Sequence, residues 1–302
     1  MKWTELSDKV FFIEGENHGR YPFSNSLFID DEVKALIDTG LGKKVIKRIL
    51  KQRRVDLIIN SHCHEDHTCC NYLFENAKIC CHRFDAPAVR SVNELLKRYG
   101  PLEHEVVEAI RVFLKEMFGL RNSRVDFEFE DGYVFDLGDV KLKVIHAPGH
   151  SIGHCCFFIP DAKIIFLSDI DLTSFGPWYG CLDSDVDQFI DSINKVKKLR
   201  AEIAVTSHKG IIMGRDAIET RLNEYLDKIF ERERKVVDFL KDEHTIDEIV
   251  NKAIIYGRFR EPKLVFKHFE KIMIEKHLHR LIRNGLVLRT KRGFKSVMKA
   301  KV

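Results

Sequence analysis

The segment Val55-Asp56-Leu57-Ile58-Ile59-Asn60-Ser61-His62-Cys63-His64-Glu65-Asp66-His67 joins a short apolar run to a dense group of metal-ligating side chains. Residues 55–59 read as a buried strand, and the chemistry starts where that strand stops. Three imidazoles and two carboxylates then fall within six residues, a density that few structural needs produce. Imidazole nitrogen and carboxylate oxygen suit zinc and similar divalent ions. A tight loop lets alternate side chains reach one centre while Asp66 and His67 turn toward another.

Three further donors stand at the ends of other apolar runs. Ala147-Pro148-Gly149-His150 follows 141–145, Ser168-Asp169 follows 163–167, and Ser207-His208 follows 203–206, each offering one ligand. Ahead of the hexad, 10–14, 24–29 and 34–37 read as a strand meander that ends at Asp38-Thr39-Gly40. Residues 41–53 then carry apolar side chains at helical spacing (Val45, Ile46, Ile49, Leu50).

These five elements, in this order over about residues 5–215, resemble the metallo-β-lactamase superfamily of hydrolases. The resemblance implies an α/β (α+β) fold, a four-layer αββα sandwich, which agrees with two successive sheet-then-helix stretches in the chain. It implies one metal held by His62, His64 and His150 and a second held by Asp66, His67 and His208, with Asp169 bridging. Asp38 would orient the hexad loop from behind the ligands. Two divalent ions can share a water, lower its pKa toward ~7 and supply hydroxide. Asp66 would then serve as the catalytic proton shuttle. Zinc is the first expectation, and iron and manganese accept the same donors. A carboxylate at 169 separates the chain from those lactamases that use Cys there.

At substrate level, His146-Ala147-Pro148-Gly149-His150-Ser151-Ile152-Gly153-His154 is similar to glyoxalase II enzymes, which cleave thioesters. The expected function is therefore a metal-dependent hydrolase of an ester, thioester or related bond. The C-terminal region resembles instead the winged-helix segment of the β-lactamase-like endoribonuclease group. That resemblance implies an RNA-cleaving phosphodiesterase with Arg280, Arg283, Arg289, Lys291 and Arg292 on the phosphates. The same donors would also serve an iron-dependent persulfide dioxygenase, and the basic C-terminal region a nucleic-acid-binding regulator. Phe175, Trp178 and Tyr179 follow Asp169 in an aromatic-rich loop and are expected at the pocket mouth. His154 is expected in the pocket as a hydrogen-bonding neighbour of His150 rather than a ligand, and His18 is expected to approach the site from the first turn.

Composition sets the outer frame. The chain has 302 residues, 44% hydrophobic and 32% charged, with 17 Gly and 7 Pro, which excludes a mainly disordered or collagenous protein. Its length suits one large domain or two unequal ones. The expected division is a catalytic domain over 1–230, with a helical insertion at 86–118 (helices over 86–98 and 103–118, broken apart by Gly100-Pro101) that could act as a cap, and a small basic winged-helix domain over 231–302. Residues 252–302 hold 15 Lys and Arg against three acids, a balance of +12 that leaves −8 for everything before them. Thr245-Ile246-Asp247-Glu248 is a capping box, and Asn284-Gly285 closes a helix that starts near Pro262. The eight Cys show no C-x-x-C spacing, and six are adjacent pairs, so they read as small buried apolar residues rather than disulfides. With no signal-like start and no long apolar run, a cytoplasmic location is expected.

Overall fold

The computed structural model of the protein describes residues 3–100 and 104–297. Pro101 and Glu103, at the expected helix break, and the last five residues of the basic tail lie outside the described residues.

Two sheets form the centre. The first runs in chain order: β1 (Trp3–Ser7), β2 (Val10–Ile13), β3 (Ser26–Asp30), β4 (Lys34–Ile37), β5 (Leu57–Ile59), β6 (Lys78–His82) and β7 (Phe127–Phe129). β1 to β4 are antiparallel, as a meander requires, and β4 to β7 pair in parallel through α1 (Lys43–Gln52), α2 (Glu65–Thr68) and the helices α3 (Ala86–Arg90), α4 (Val92–Arg98) and α5 (His104–Phe118). The second sheet contains β8 (Val134–Asp136), β9 (Lys141–His146), β10 (Cys155–Ile159), β11 (Ile164–Ser168), β12 (Ile203–Thr206) and β13 (Gly210–Met213). Its one parallel pair, β11 with β12, is bridged by α6 (Val186–Lys197). The described chain ends in α7 (Arg215–Phe239), α8 (Ile246–Asn251), α9 (Lys263–Arg283) and the hairpin β14 (Val287–Arg289) and β15 (Phe294–Ser296).

Alternation along the strands makes the layers. Ile164 and Phe166 of β11 point between the sheets, among Val10, Leu27, Ile37 and Ile59 of the first sheet. Ile165 and Leu167 point the other way, onto α6 and α7 through Phe189, Ile193 and Ile218. Outside the first sheet, α1, α4 and α5 cover Leu36, Ile58 and Ile79. The order is thus helix, sheet, sheet, helix. The two cysteine pairs on strands obey the same rule: Cys80 and Cys155 face the inter-sheet core while Cys81 and Cys156 face the helices, and all eight Cys are free and buried.

Three expectations change. The helix read over 86–98 divides at Ser91, whose extended backbone breaks α3 and whose hydroxyl accepts from the Glu94 amide at 3.4 Å to start α4. Strands β1 and β13 were not legible: β1 is short and half-polar, and β13 is four partly exposed residues, Gly210–Met213, directly after a turn. The break near residue 230 has no counterpart in the backbone, because α7 runs through it with Ile229, Arg232 and Glu233 buried. Helix, helix, helix, hairpin follow in the expected order and the capping box at Thr245 and Glu248 forms. Even so, Met273, Ile274, Leu278 and Leu281 of α9 share a core with Ile145, Leu167 and Ile170 beneath the second sheet. Among the described residues, no helix is long and apolar enough to cross a membrane.

Candidate metal centre

Five strand ends meet at one edge of the sandwich. β4 delivers Asp38, β5 the hexad, β9 His150, β11 Asp169 and β12 His208. The backbone is bent to bring them in. Asp38 and Ser168 lie in the left-handed region, at φ 64° and 52°, where non-glycine residues are uncommon and mark sites the surrounding structure enforces. The register between β11 and β12 shifts between Phe166 and Ser168, a bulge that re-aims the chain so that Asp169 enters the cluster. Gly40 is required by close approach: a Cβ there would lie 1.4 Å from the Asp66 carbonyl oxygen.

The donors fall into two groups joined by one carboxylate. His62, His64 and His150 bring ligand atoms within 4.8 Å of one another, and so do Asp66, His67 and His208. Asp169 lies between them: Oδ2 is 3.3 Å from His150 Nε2 and 3.9 Å from His62 Nε2, while Oδ1 is 3.1 Å from His67 Nε2 and 3.6 Å from His208 Nε2. Asp66 Oδ2 is 3.3 Å from His208 Nε2. The side chains of His208 and Asp169 are 10% and 11% exposed, and the other five are more deeply buried.

Hydrogen bonding shows that the set fits a bound cation. His67 Nδ1 donates to Asp38 Oδ2 at 2.8 Å, His150 Nδ1 to the Trp178 carbonyl at 2.9 Å, and His208 Nδ1 to the Gly19 carbonyl at 2.8 Å. His62 Nδ1 faces Ser61 Oγ at 3.0 Å. In its neutral form each of these rings turns a bare Nε2 inward. The bare His150 Nε2 lies 2.8 Å from His64 Nδ1 and 3.1 Å from His62 Nε2, and His67 Nε2 and Asp169 Oδ1 are buried without a hydrogen-bond partner. Inward lone pairs at these distances repel one another unless a cation or a proton sits among them. Burial opposes charge on His67, yet the carboxylates of Asp169, Asp66 and Asp38 override it and hold its proton affinity well above the ordinary range. Positive charge is favoured at that point.

Asp38 is fully buried behind the hexad loop. Its carboxylate also accepts from the Ser61 amide at 2.7 Å and the Ser61 hydroxyl at 2.6 Å. His154 is fully buried beside His150, with 5.6 Å between ring centres, but its hydrogen bonds go elsewhere: Nδ1 donates to the Ala147 carbonyl at 2.9 Å and Nε2 accepts from the Asp169 amide at 3.1 Å. Burial and the neighbouring His150 push its pKa down to about 3, so the ring is neutral, as this donor–acceptor pairing requires.

The sequence did not reveal Asp85. Preceding Ala86-Pro87, it reads as a helix cap, but its side chain does not cap α3. Fully buried, it accepts instead from the Cys63 amide (3.0 Å), the Ser151 hydroxyl (2.9 Å), the Gly153 amide (3.0 Å) and the Arg98 guanidinium (2.5 Å). One carboxylate thereby ties the hexad loop to the His150 loop. Glu65 was also passed over: it takes hydroxyl donors from Tyr99 at 2.6 Å and Tyr21 at 3.2 Å.

The remaining candidates separate. His18 points into solvent and pairs with Glu14, and its loop reaches the cluster only through the Gly19 carbonyl. Trp178 packs 5.5 Å from the rings of both His64 and His150. Phe175 lies under the Arg232 guanidinium, 4.8 Å away, and 5.4 Å from Tyr256. Tyr179 turns away from the mouth, fully buried, with its hydroxyl between His277 Nε2 (2.5 Å) and Arg232 (2.9 Å). Arg280 pairs with Glu233 at 2.7 Å and with Asp187, and Arg283 also pairs with Asp187, so both are engaged within the protein. Arg289, Lys291 and Arg292 are exposed on the hairpin.

The sequence profile described as the Metallo-beta-lactamase superfamily matches residues 20–208. The chain belongs to that superfamily. It is 27% identical over 181 residues to the acyl-coenzyme A thioesterase MBLAC2 of Homo sapiens, covering 55% of this chain and 64% of that protein. It is 23% identical over 220 residues to the atrochrysone carboxyl ACP thioesterase of Passalora fulva, covering 69% and 55%. The first curated relatives are thus matched over 55% to 64% of their own length. In fold, the chain matches the metallo-beta-lactamase family protein TTHA1429 of Thermus thermophilus at a TM-score of 0.74 and 19% identity, over 97% of this chain and 100% of that one.

Proposed function

We propose that the protein is a metal-dependent hydrolase that cleaves thioesters at the His/Asp cluster. One observation carries this: Asp169 divides its two oxygens between two groups of inward-facing donors, in a pocket of unpaired lone pairs. Two of its relatives, both thioesterases, favour the thioester among the bonds such a site can break. His62, His64 and His150 would hold one divalent ion and Asp66, His67 and His208 the other, with Asp169 shared. Bound ions would supply Lewis acidity toward a carbonyl oxygen and a nucleophile from water at neutral pH.

The chain's own residues do the rest. Asp38, the Trp178 carbonyl and the Gly19 carbonyl fix the tautomers and ring planes of His67, His150 and His208. Asp66 stands next to His208, where its carboxylate can take a proton and return it to the departing thiolate sulfur. The RNA reading loses Arg280 and Arg283 to internal carboxylates and gains no observation in exchange.

The test is elemental analysis of purified wild type beside Asp169→Ala and His64→Ala, combined with a panel of thioesters, esters, lactones and RNA. About two divalent ions per chain, reduced in both variants, with thioester turnover, is the expected result; unchanged metal content in both variants would overturn the site. The same analysis identifies zinc, iron or manganese.

A further inference from the structure

Aromatic side chains from four separate segments meet beside the cluster. Trp178 touches His64 and His150 on one side, and its indole Nε1 donates to the Tyr256 hydroxyl at 2.8 Å on the other. From Tyr256 the contacts run to Phe266 of α9 (5.6 Å between ring centres), to Phe113 of α5 (6.4 Å), to Phe118 (6.1 Å) and to Tyr21 of the N-terminal loop (5.6 Å). The Tyr21 hydroxyl then returns to Glu65, between two of the proposed ligands. The rim therefore begins and ends at the metal cluster. Beneath it, Tyr99 and Phe269 are buried and complete the circuit: Phe269 lies 5.4 Å from both Tyr99 and Trp178.

Tyr99, Phe269 and Phe118 are buried, at 2%, 8% and 4% exposure, whereas Trp178, Tyr256, Phe266 and Phe113 are half-buried and Tyr21 is 46% exposed. The run of half-buried rings from Trp178 to Phe113 is a half-open aromatic surface next to a reactive centre, and such a surface marks a contact for a ligand. Its polar atoms are already engaged: the Trp178 and Tyr256 groups with each other, and the Tyr21 hydroxyl with Glu65. What the rim has to offer is apolar ring surface.

We propose that this rim binds the apolar acyl group of the substrate. The inference rests on the thioesterase reading and names its substrate class, a medium or long acyl chain. A carbonyl carbon presented to the cluster has one substituent leaving as thiolate, and Trp178 places the other on the rim. The C-terminal helices are thereby part of the substrate site, through Tyr256 and Phe266.

Only two tryptophans occur in the chain, Trp3 and Trp178, so a Trp3→Phe background makes emission report on Trp178. Decanoate and acetate are titrated into that protein, and acyl thioesters of two to twelve carbons are assayed in wild type. Decanoate should produce a saturable change in emission that acetate does not. Turnover efficiency should rise with chain length by up to about fourfold per methylene. Phe266→Ala and, on a different element, Phe113→Ala should each weaken decanoate binding by roughly tenfold and flatten the chain-length dependence. Thioester turnover with no decanoate response and no length dependence would overturn the rim while leaving the hydrolase reading intact. A decanoate response without turnover of any thioester would overturn the hydrolase reading and keep the rim.

Discussion

At the scale of single residues, the cluster depends on side chains that touch no substrate. Asp38 and Asp85 have parallel roles: Asp38 holds Ser61 and His67 for one half of the site, and Asp85 holds Cys63, Ser151 and Gly153 for the other. Groups of this kind behind metal ligands typically change metal affinity by roughly 10- to 100-fold when removed. Asp85→Asn keeps the size but loses the charge opposite Arg98 and turns one oxygen into a donor facing backbone N–H groups. Metal affinity, measured by competition with a chelator, should fall within that range, with the loss mainly in the ion held by His62, His64 and His150. Equal loss of both ions, or none, would refute this division. Of the two carboxylates, only Asp38 was legible, because it is part of a motif, whereas Asp85 stands in a segment that reads as an ordinary helix start.

At the scale of elements, the two sheets are fastened at the edge by the turn between β3 and β4. Asp31 there accepts from Lys9 at 2.8 Å, from the Glu32 amide at 2.9 Å and, across the sandwich, from the Val140 amide at 2.8 Å. Burial works against its charge, but the Lys9 ammonium and the two amides outweigh that and hold its pKa at about 2, below the ordinary 3.8. A carboxyl depressed on folding stabilises the folded state above its unfolded pKa, and that contribution is lost as pH falls from about 4 toward 2. Melting temperatures of wild type and Asp31→Asn should therefore converge as pH drops through this interval. A gap of constant size from pH 5 to pH 2 would show that ionisation of Asp31 contributes nothing.

At the scale of the whole molecule, the C-terminal third shares a core with the second sheet. α7 crosses residue 230 without interruption, Arg232 on it donates to the Pro177 and Phe175 carbonyls and to Tyr179, and α9 fills the space under the second sheet. Truncation after residue 230 would strip cover from Ile145, Leu167 and Ile170, where single large-to-small core changes already cost about 2–5 kcal/mol. The shortened chain should aggregate or melt far below the full protein, and the full protein should unfold in one cooperative transition by calorimetry. A soluble 1–230 fragment with native melting behaviour would establish two independent domains.

The sequence by itself determined the superfamily, the two sheets in their order and the seven clustered donors. That information is local: four donors lie on one loop, and the other three follow apolar runs whose period announces strands. Only the tertiary structure decided that Tyr179 and His154 turn inward, that Arg280 and Arg283 are taken by Asp187 and Glu233, and that Tyr21, Phe113, Tyr256 and Phe266 come together beside Trp178. The physical reason is that a side chain's partner is set by which remote segment packs against it, and packing between segments leaves no spacing signal along the chain.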